Sequence, residues 1–547
     1  MEEPRSACGT NQNMSDNPSA LPNSTRSSGN KTRGGADERV SSQRDEQARQ
    51  FALQVVRRLR EAGYEAYWAG GCVRDYLLGL TPHDYDVATS ARPEEVQRLF
   101  RRTVTVGASF GVVEVLGPRV DGETISVQVA TFRSEGPYSD GRHPDSVIFT
   151  NAVQDAQRRD FTINGLFYDP LTGQVLDYVG GKQDLQARIL RAIGNPRERF
   201  QEDKLRILRA VRLAAQFNLT IEAETAEAIR AMADQITVVS AERIAEELRR
   251  LLTGAGRVRG LELLHELGLL SPIFPELADM PKVILPQPIA GQSRVDHPPE
   301  AQAGSLSQDE STNQTTLAIP VTAEQAEKTL EGKCDAGPGS QTLWEHTLRV
   351  VGWLRKPGFP LSLAALFHDA GKAKVASSSP VDVSGKHSVQ NSAFPEHEKI
   401  GAELVEHAGR RLRLANAEWQ RAAWLVAHHH ALDAPWDLPM HVLKPLLAHP
   451  AIHELLELIR ANLLAHNRSL EPIAFCETKL QEWPREVLDP PPLVSGDDLI
   501  ALGLKPGPIF KQLLQRVREA QLDGIIASRE EALEMLRQWS QQNWPSG

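Results

Sequence analysis

The chain is poor in cysteine: Cys8, Cys72, Cys334 and Cys476 are all that its 547 residues contain, and no two form a CxxC pair. This excludes a disulfide framework and a zinc–cysteine site and makes reduced thiols the expectation. Long apolar runs are missing too. No stretch approaches the roughly eighteen apolar residues of a membrane span, so no membrane role is expected. Net positive charge is absent as well: 61 Lys and Arg against 71 Asp and Glu leave −10. That argues against coating nucleic acid by bulk charge but leaves room for a local basic patch. No short repeat of the solenoid kind occurs. The first 42 residues are rich in Ser, Asn, Gly and charge and lack the apolar core of a secretion signal. They read as a disordered tail, and a cytoplasmic protein is expected.

What is present is ordinary for a globular protein, with 41% hydrophobic and 24% charged residues and a length that predicts three or four domains. Ala52, Val55, Val56 and Leu59 recur at helical spacing before Gly63, predicting an amphipathic helix over 45–62. β-rich runs over 64–69, 84–88, 103–116 and 124–132 predict a small mixed sheet with flanking helices, within a head spanning 43–175. Helical periodicity then takes over in a neck, 176–283, where Ser240 is placed to cap a helix over 241–252. Residues 284–340, rich in Pro, Gly, Gln, Ser and Thr, read as a flexible insert. A second helical domain over 341–470 holds most of the histidines, and a helical tail over 471–547 follows. The fold class is α+β. Arginine is locally dense at Arg206, Arg209 and Arg212 and again at Arg243, Arg249, Arg250, Arg257 and Arg259, as solvated helix faces or as an RNA patch.

Chemistry concentrates in the segment from Gly70-Gly71-Cys72-Val73-Arg74-Asp75 to His83-Asp84-Tyr85-Asp86. Two glycines before a helical stretch let the backbone approach a phosphate, although most such pairs are only turns. Asp84 and Asp86, two apart on an expected strand, share one face. Such a pair suits Mg²⁺, a hard cation with oxygen ligands, where an arbitrary Asp-x-Asp is a solvated loop.

Four motifs in order carry a family resemblance over about residues 60 to 275: Gly70 to Asp86, Arg158-Arg159-Asp160-Phe161-Thr162-Ile163-Asn164, Asp177-Tyr178-Val179-Gly180-Gly181 with Asp184, and Glu202-Asp203-Lys204-Leu205-Arg206. The chain resembles the polymerase-β-type nucleotidyltransferases, specifically the bacterial class II CCA-adding enzymes and poly(A) polymerases. The resemblance implies that Asp84 and Asp86 hold two Mg²⁺ ions, one activating an RNA 3′-hydroxyl and the other stabilising departing pyrophosphate. It places Gly70, Gly71 and Arg74 near the triphosphate, Arg159 and Asp160 on phosphate and ribose, and Asn164 in support, where a helix cap with a surface ion pair is the plain alternative. Gln128 stands where the family brings a third carboxylate, with Glu114 on a neighbouring expected strand.

Asp203 and Arg206, three apart on an expected helix, share a face, which is ordinarily a surface ion pair. The resemblance makes them a protein-side template. Adenine and cytosine each present an amino donor beside a ring-nitrogen acceptor, which a carboxylate beside a guanidinium complements. ATP, CTP and the tRNA 3′ end are thereby the expected partners, with a poly(A) product as the alternative. The stretch Val106-Gly107-Ala108-Ser109-Phe110-Gly111 lacks the paired basic residues of many bacterial poly(A) polymerases, which favours CCA addition. Oligomeric state is not legible.

In the second helical domain, His346, then His368-Asp369-Ala370-Gly371-Lys372, then His397 and His428-His429-His430 resemble an HD-type metal phosphohydrolase domain. The resemblance implies a divalent transition metal on His346, His368 and Asp369. Asn462 stands where the last aspartate of that motif falls, which weakens the expected site. A structural or RNA-positioning domain is the alternative, as is a noncatalytic RNA-binding protein for the whole chain.

Overall fold

The computed structural model describes residues 34–82, 84–105, 111–120, 122–136, 146–285, 341–378, 394 and 396–543. The expected tail before residue 34, the insert beyond residue 285 and the stretch 106–110 lie outside the described residues.

In the head, helix α1 (Gly34–Glu61) begins eleven residues before the expected 45. It buries Ala52, Val55, Val56 and Leu59 completely, the stripe that the spacing predicts. Gly63, with φ of 91°, ends it in the left-handed region that a residue with a Cβ disfavours. Beneath α1 lies a seven-stranded sheet whose elements in chain order are β1 (Ala66–Ala69), β2 (Asp86–Thr89), β3 (Thr103–Thr105), β4 (Val112–Val120) and β5 (Glu123–Thr131). A separate hairpin, β6 (Arg133–Glu135) and β7 (Val147–Phe149), precedes the last two strands, β8 (Phe167–Asp169) and β9 (Gln174–Leu176). The order is β3-β4-β5-β2-β1-β8-β9, with β2 and β5 parallel and the other pairs antiparallel, so the sheet is mixed as expected. Val113, Val115, Val127 and Val129 are buried on one face, and the alternating Glu114 and Gln128 therefore take the other. Four short helices complete the head: α2 (Gly71–Leu77), α3 (Pro93–Leu99), α4 (Ala152–Gln157) and α5 (Gly181–Gln186).

The neck comprises α6 (Pro196–Glu202), α7 (Leu205–Gln216), α8 (Ala223–Met232), α9 (Ala241–Thr253), α10 (Arg257–Glu266) and α11 (Leu270–Ile273). A two-strand pair, β10 (Ile189–Leu190) and β11 (Thr220–Ile221), joins them. Ser240 occupies the capping position of α9, but its side chain makes no capping hydrogen bond. The histidine-rich region follows as α12 (Leu343–Trp353), α13 (Phe359–Phe367), α14 (Ala370–Ser378), α15 (His397–Arg411), α16 (Asn416–His428), α17 (Met440–Ala448) and α18 (Ile452–Ala465). Five more helices form the tail, and its last three, from Gly496 to Asn543, close over a core of their own.

Neck and histidine-rich region share one hydrophobic core, which runs from Phe161 through Leu252 and Phe274 to Phe367 and Leu458. Polar contacts reinforce the joint. Arg257 Nε donates to Val351 O at 2.9 Å, and Ser362 Oγ to Leu252 O at 2.9 Å. The ends of the insert meet: Leu285 N donates to Gln341 O at 2.9 Å and Leu343 N to Val283 O at 2.8 Å. The chain thus leaves and re-enters this body at one place. A polar insertion there need not disturb the core, because closing a longer surface loop costs little more than closing a short one.

Candidate active site

Gly70 turns β1 into α2 with φ of 75°, and a Cβ there would lie 3.0 Å from Arg159 Nη1. The glycine thus permits both the turn and the close approach of a guanidinium. Arg74, in α2, is buried. Its Nη1 donates to Asn164 Oδ1 at 2.8 Å, its Nη2 to Asp75 Oδ1 at 2.7 Å, and its guanidinium lies 4.1 Å from the centre of the Phe217 ring. Burial lowers the Arg74 pKa, against the pull of Asp75.

Asp84 lies in the bend just before β2 and Asp86 is the first residue of that strand, so Asp84 precedes the strand in which it was expected. The alternation nevertheless runs through both. Tyr85 and Val87 are buried while the two carboxylates are exposed on the other side. Protein crowded around Asp86 raises its pKa, with Arg159 opposing and the like charge of Asp84 adding to the rise. Among the described residues neither carboxylate has an ion-pair partner. Two adjacent, exposed carboxylates are a donor set that fits a hard divalent cation. In register beside them, Gln128 on β5 pairs with Asp86, and Glu114 on β4 pairs with Gln128. Directly opposed residues point to the same face, so Asp86, Gln128 and Glu114 form a row. Glu114 is two strands from Asp86, about 10 Å at ordinary strand spacing.

Behind this row, the turn after α4 is fastened from several sides. Arg159 Nη2 donates to Asp155 Oδ2 at 2.9 Å and its Nη1 to Asn164 O at 3.2 Å. Asp160 is buried and accepts from Phe161 N at 2.8 Å, Asn164 Nδ2 at 3.1 Å and both Nε and Nη2 of Arg209 at 3.0 and 2.7 Å. Burial pushes the Asp160 carboxyl up, but Arg209 and the hydrogen bonds outweigh it and hold the pKa at about 2. This arrangement replaces the expected alternative of a helix cap with a surface pair.

Asp203 and Arg206 do not lie on one helix. Asp203 ends α6 in an extended conformation, φ −143° and ψ 106°, while Arg206 belongs to α7. The break follows from the Asp203 side chain, whose Oδ1 accepts from Leu205 N at 3.1 Å and so competes with continuous helix. Nor do the two pair with each other. Arg243 grips Asp203 through two hydrogen bonds, at 3.1 and 2.7 Å, and Arg206 Nη1 donates to Glu202 and to Arg199 O.

In the histidine-rich region His346, His368 and Asp369 converge as expected. His368 Nε2 is 3.3 Å from His346 Nε2 and 3.4 Å from Asp369 Oδ2, and His346 Nε2 is 3.6 Å from that oxygen. Lys372 Nζ, however, donates to the same oxygen at 2.7 Å. Asn462 is buried on α18, with no hydrogen-bond partner for its Oδ1. The ligand types fit a transition cation, but the oxygen they would use already carries an ammonium.

Three family profiles match in order: the poly A polymerase head domain over residues 66–191, a probable RNA and SrmB-binding site of polymerase A over 218–280, and an HD domain over 343–466. By these matches the chain is similar to poly(A) polymerases and CCA-adding enzymes. Poly(A) polymerase I of Salmonella typhi is 44% identical over 238 residues, 41% of this chain and 50% of that protein. The CCA-adding enzyme of Levilactobacillus brevis is 45% identical over 231 residues, 42% of this chain and 56% of that protein. The chain thus spans about half the length of the relatives it matches. The Bacillus stearothermophilus CCA-adding enzyme, solved in complex with CTP, superposes with a TM-score of 0.59 at 25% identity, covering 91% of this chain and 99% of that one.

The sequence reading missed the residues that hold the others. Arg209 and Arg243 stood only in arginine clusters, and their carboxylate partners lie 49 and 40 residues away. Arg212 likewise turns inward to Glu247, and Arg249 to Glu418. Their density along the helices was the available signal, but it does not reveal a partner. Arg250 and Arg259 remain on exposed pairs, as solvated faces would. No described helix is long and apolar enough to cross a membrane.

Proposed function

We propose that this chain is a template-independent RNA nucleotidyltransferase that adds C and A nucleotides to the 3′ end of tRNA from CTP and ATP and releases pyrophosphate in the cytoplasm. The observation that carries this reading is the pair of exposed carboxylates, Asp84 just before β2 and Asp86 at its start, with the Arg159 guanidinium near enough to act on Asp86. A head domain matched over 66–191 and a CTP complex of a structural relative support it.

Asp84 and Asp86 would hold Mg²⁺, which when bound supplies charge neutralisation at the attacking and leaving oxygens. Gly70 and Gly71 let the triphosphate approach the backbone, and Arg74 and Arg159 offer it guanidinium donors. Asp160 and Asn164, locked by Arg209, keep these arginines in place. Gln128 offers a neutral amide oxygen where a carboxylate would bind a cation more tightly, so a higher Mg²⁺ requirement is part of the proposal. Poly(A) synthesis is the second reading, because relatives of both kinds match at 44% and 45% identity.

For base choice, Asp203 accepts from the amino group of adenine or cytosine and Arg206 donates to the ring nitrogen. Arg243 serves as a positioning residue that keeps Asp203 aimed: Oδ1 already accepts from Leu205 N and Arg243 Nη1, and Oδ2, which accepts only from Arg243 Nη2, retains a lone pair for the base. Asp203→Ala and Arg206→Ala are each expected to lower kcat/KM for ATP and CTP and to narrow their advantage over GTP and UTP by roughly ten- to a hundredfold, the worth of a charge-assisted hydrogen bond. Arg243→Ala should narrow it less, with partial rescue by Arg243→Lys. If all three variants keep the original ranking and ratios of the four triphosphates on one tRNA, base selection resides elsewhere.

A further inference from the structure

Given the nucleotidyltransferase reading, on which this rests, we infer that the head carries a further RNA-contacting surface. It is a rim of arginines, Arg58, Arg98, Arg101 and Arg102, that holds phosphates of the RNA away from its reacting 3′ end. The profile match to a probable RNA-binding site falls on residues 218–280, in the neck, so the rim lies outside it.

Local contacts bring the four residues together. Arg58, on the outer side of α1, lies 5.3 Å from the centre of the Phe100 ring, which directly follows α3. Tyr64, just past the end of α1, is within reach of both Glu95 and Arg98 on α3. Arg102 Nη1 donates to Gly117 O at 2.9 Å, and a Cβ at Gly117 would lie 2.7 Å from the Phe51 ring of α1. The outer side of α1, the end of α3 and the entry to β3 therefore share one rim, with Arg101 between its members.

All four arginines are exposed, and none forms an ion pair among the described residues. Acidic partners are not scarce in this chain, which has 71 Asp and Glu against 61 Lys and Arg. Arg159, Arg209, Arg212, Arg243 and Arg249 all meet carboxylates. At the rim, Glu95 is engaged by Arg92 N at 2.7 Å, and the exposed Glu61 and Glu94 pair with none of the four. The last turn of a helix favours a cation, which accounts for Arg98 but not for Arg101 or Arg102 beyond it. Positive charge is thus left in excess on one edge of a chain whose net charge is −10.

The chemistry of the rim selects its partner. Guanidinium presents a planar fork of donors that matches phosphate oxygens, and several in a row suit a chain of phosphates. Position agrees with RNA as the source of those phosphates. The row Asp86, Gln128, Glu114 continues in register to Val104 on the edge strand β3, which is 44% exposed. Val104 stands about 15 Å, three strand spacings, from Asp86, and Arg102 is two residues before it. RNA that leaves the carboxylate pair across this face meets the rim at the sheet's edge.

Binding, not turnover, is the readout, so the rim and the nucleotidyltransferase reading fail separately. The full chain is titrated, without nucleoside triphosphate and over a range of salt, with a tRNA lacking its last three nucleotides. Arg98→Gln/Arg101→Gln removes two exposed charges that make no hydrogen bond among the described residues, so melting temperature should stay unchanged. Affinity at low salt should fall roughly tenfold or more, and the slope of log affinity against log salt should become shallower by about two. Arg98→Lys/Arg101→Lys should restore most of that slope, because an ammonium also neutralises a phosphate. Wild-type affinity and slope in the glutamine variant would overturn the rim as an RNA surface. So would loss of polyglutamate binding with tRNA binding intact, which would assign the rim to an acidic protein. Unaltered protein that shows the expected binding but adds no nucleotide would defeat the catalytic reading and leave the rim standing.

Discussion

Asp84→Asn and Asp86→Asn are each expected to reduce nucleotide addition by roughly a thousandfold or more while RNA binding and melting temperature stay unchanged. Both side chains are exposed and neither has an ion-pair partner among the described residues, so the exchange removes a charge without opening a cavity or stranding a buried group. What it removes is a cation ligand. Charge stabilisation by a bound metal is worth several kcal/mol in a transferring phosphoryl group, and about 4 kcal/mol corresponds to three orders of magnitude in rate. The pair should also respond to pH in one direction. Because the protein crowded around Asp86 and the like charge of Asp84 raise its pKa, loss of the deprotonated, metal-binding form should begin at a higher pH than for an ordinary carboxylate, and excess Mg²⁺ should move it back. Single-turnover extension with labelled ATP, compared with filter binding of the same RNA, separates the two effects. Wild-type turnover by both variants would defeat the cation assignment.

The second large effect is on stability, at Asp160 and Arg209. Asp160 has an ordinary pKa of 3.8 when unfolded and about 2 when folded. A depressed folded value means that the pair stabilises the native state above pH 4, and that this contribution is lost as pH falls through about 4 to 2. The drop from 3.8 to about 2 corresponds to about 2 to 3 kcal/mol. Arg209→Ala leaves a buried carboxylate with only Phe161 N and Asn164 Nδ2, and removing one partner of a buried pair costs about 3 to 5 kcal/mol. The lower end is expected, because the Arg209 side chain is 32% exposed. Urea unfolding of the wild type and of Asp160→Asn at neutral pH and near pH 2 provides the check. The gap between them should shrink in acid, and an equal gap at both would rule out the pair as its source.

Local features of this fold were legible because they repeat over a few residues. The stripe of α1 and the alternation through Asp84, Tyr85, Asp86 and Val87 need only a short window. Composition marked the insert, but that its ends meet at Val283 and Leu343 depends on a core built from residues far apart. The expectation that Asp203 and Arg206 share one helix failed for reasons outside the local pattern. A side-chain hydrogen bond to Leu205 N broke the helix, and Arg243, 40 residues on, took the carboxylate. The histidine run was visible as well. Which oxygen of Asp369 each imidazole faces, and that Lys372 covers one of them, is set by how α14, α15 and α16 pack, which no spacing along the chain encodes.

The most direct measurement of the proposed activity is incubation of the purified protein with Mg²⁺ and a tRNA lacking its last three nucleotides, each nucleoside triphosphate being supplied alone and then in mixture. CTP alone should extend the tRNA by two residues, and ATP should add a single residue only after those are in place. Long tails from ATP alone would shift the assignment to poly(A) synthesis. No incorporation from any triphosphate, with tRNA still bound, would contradict the account and leave a noncatalytic RNA-binding protein.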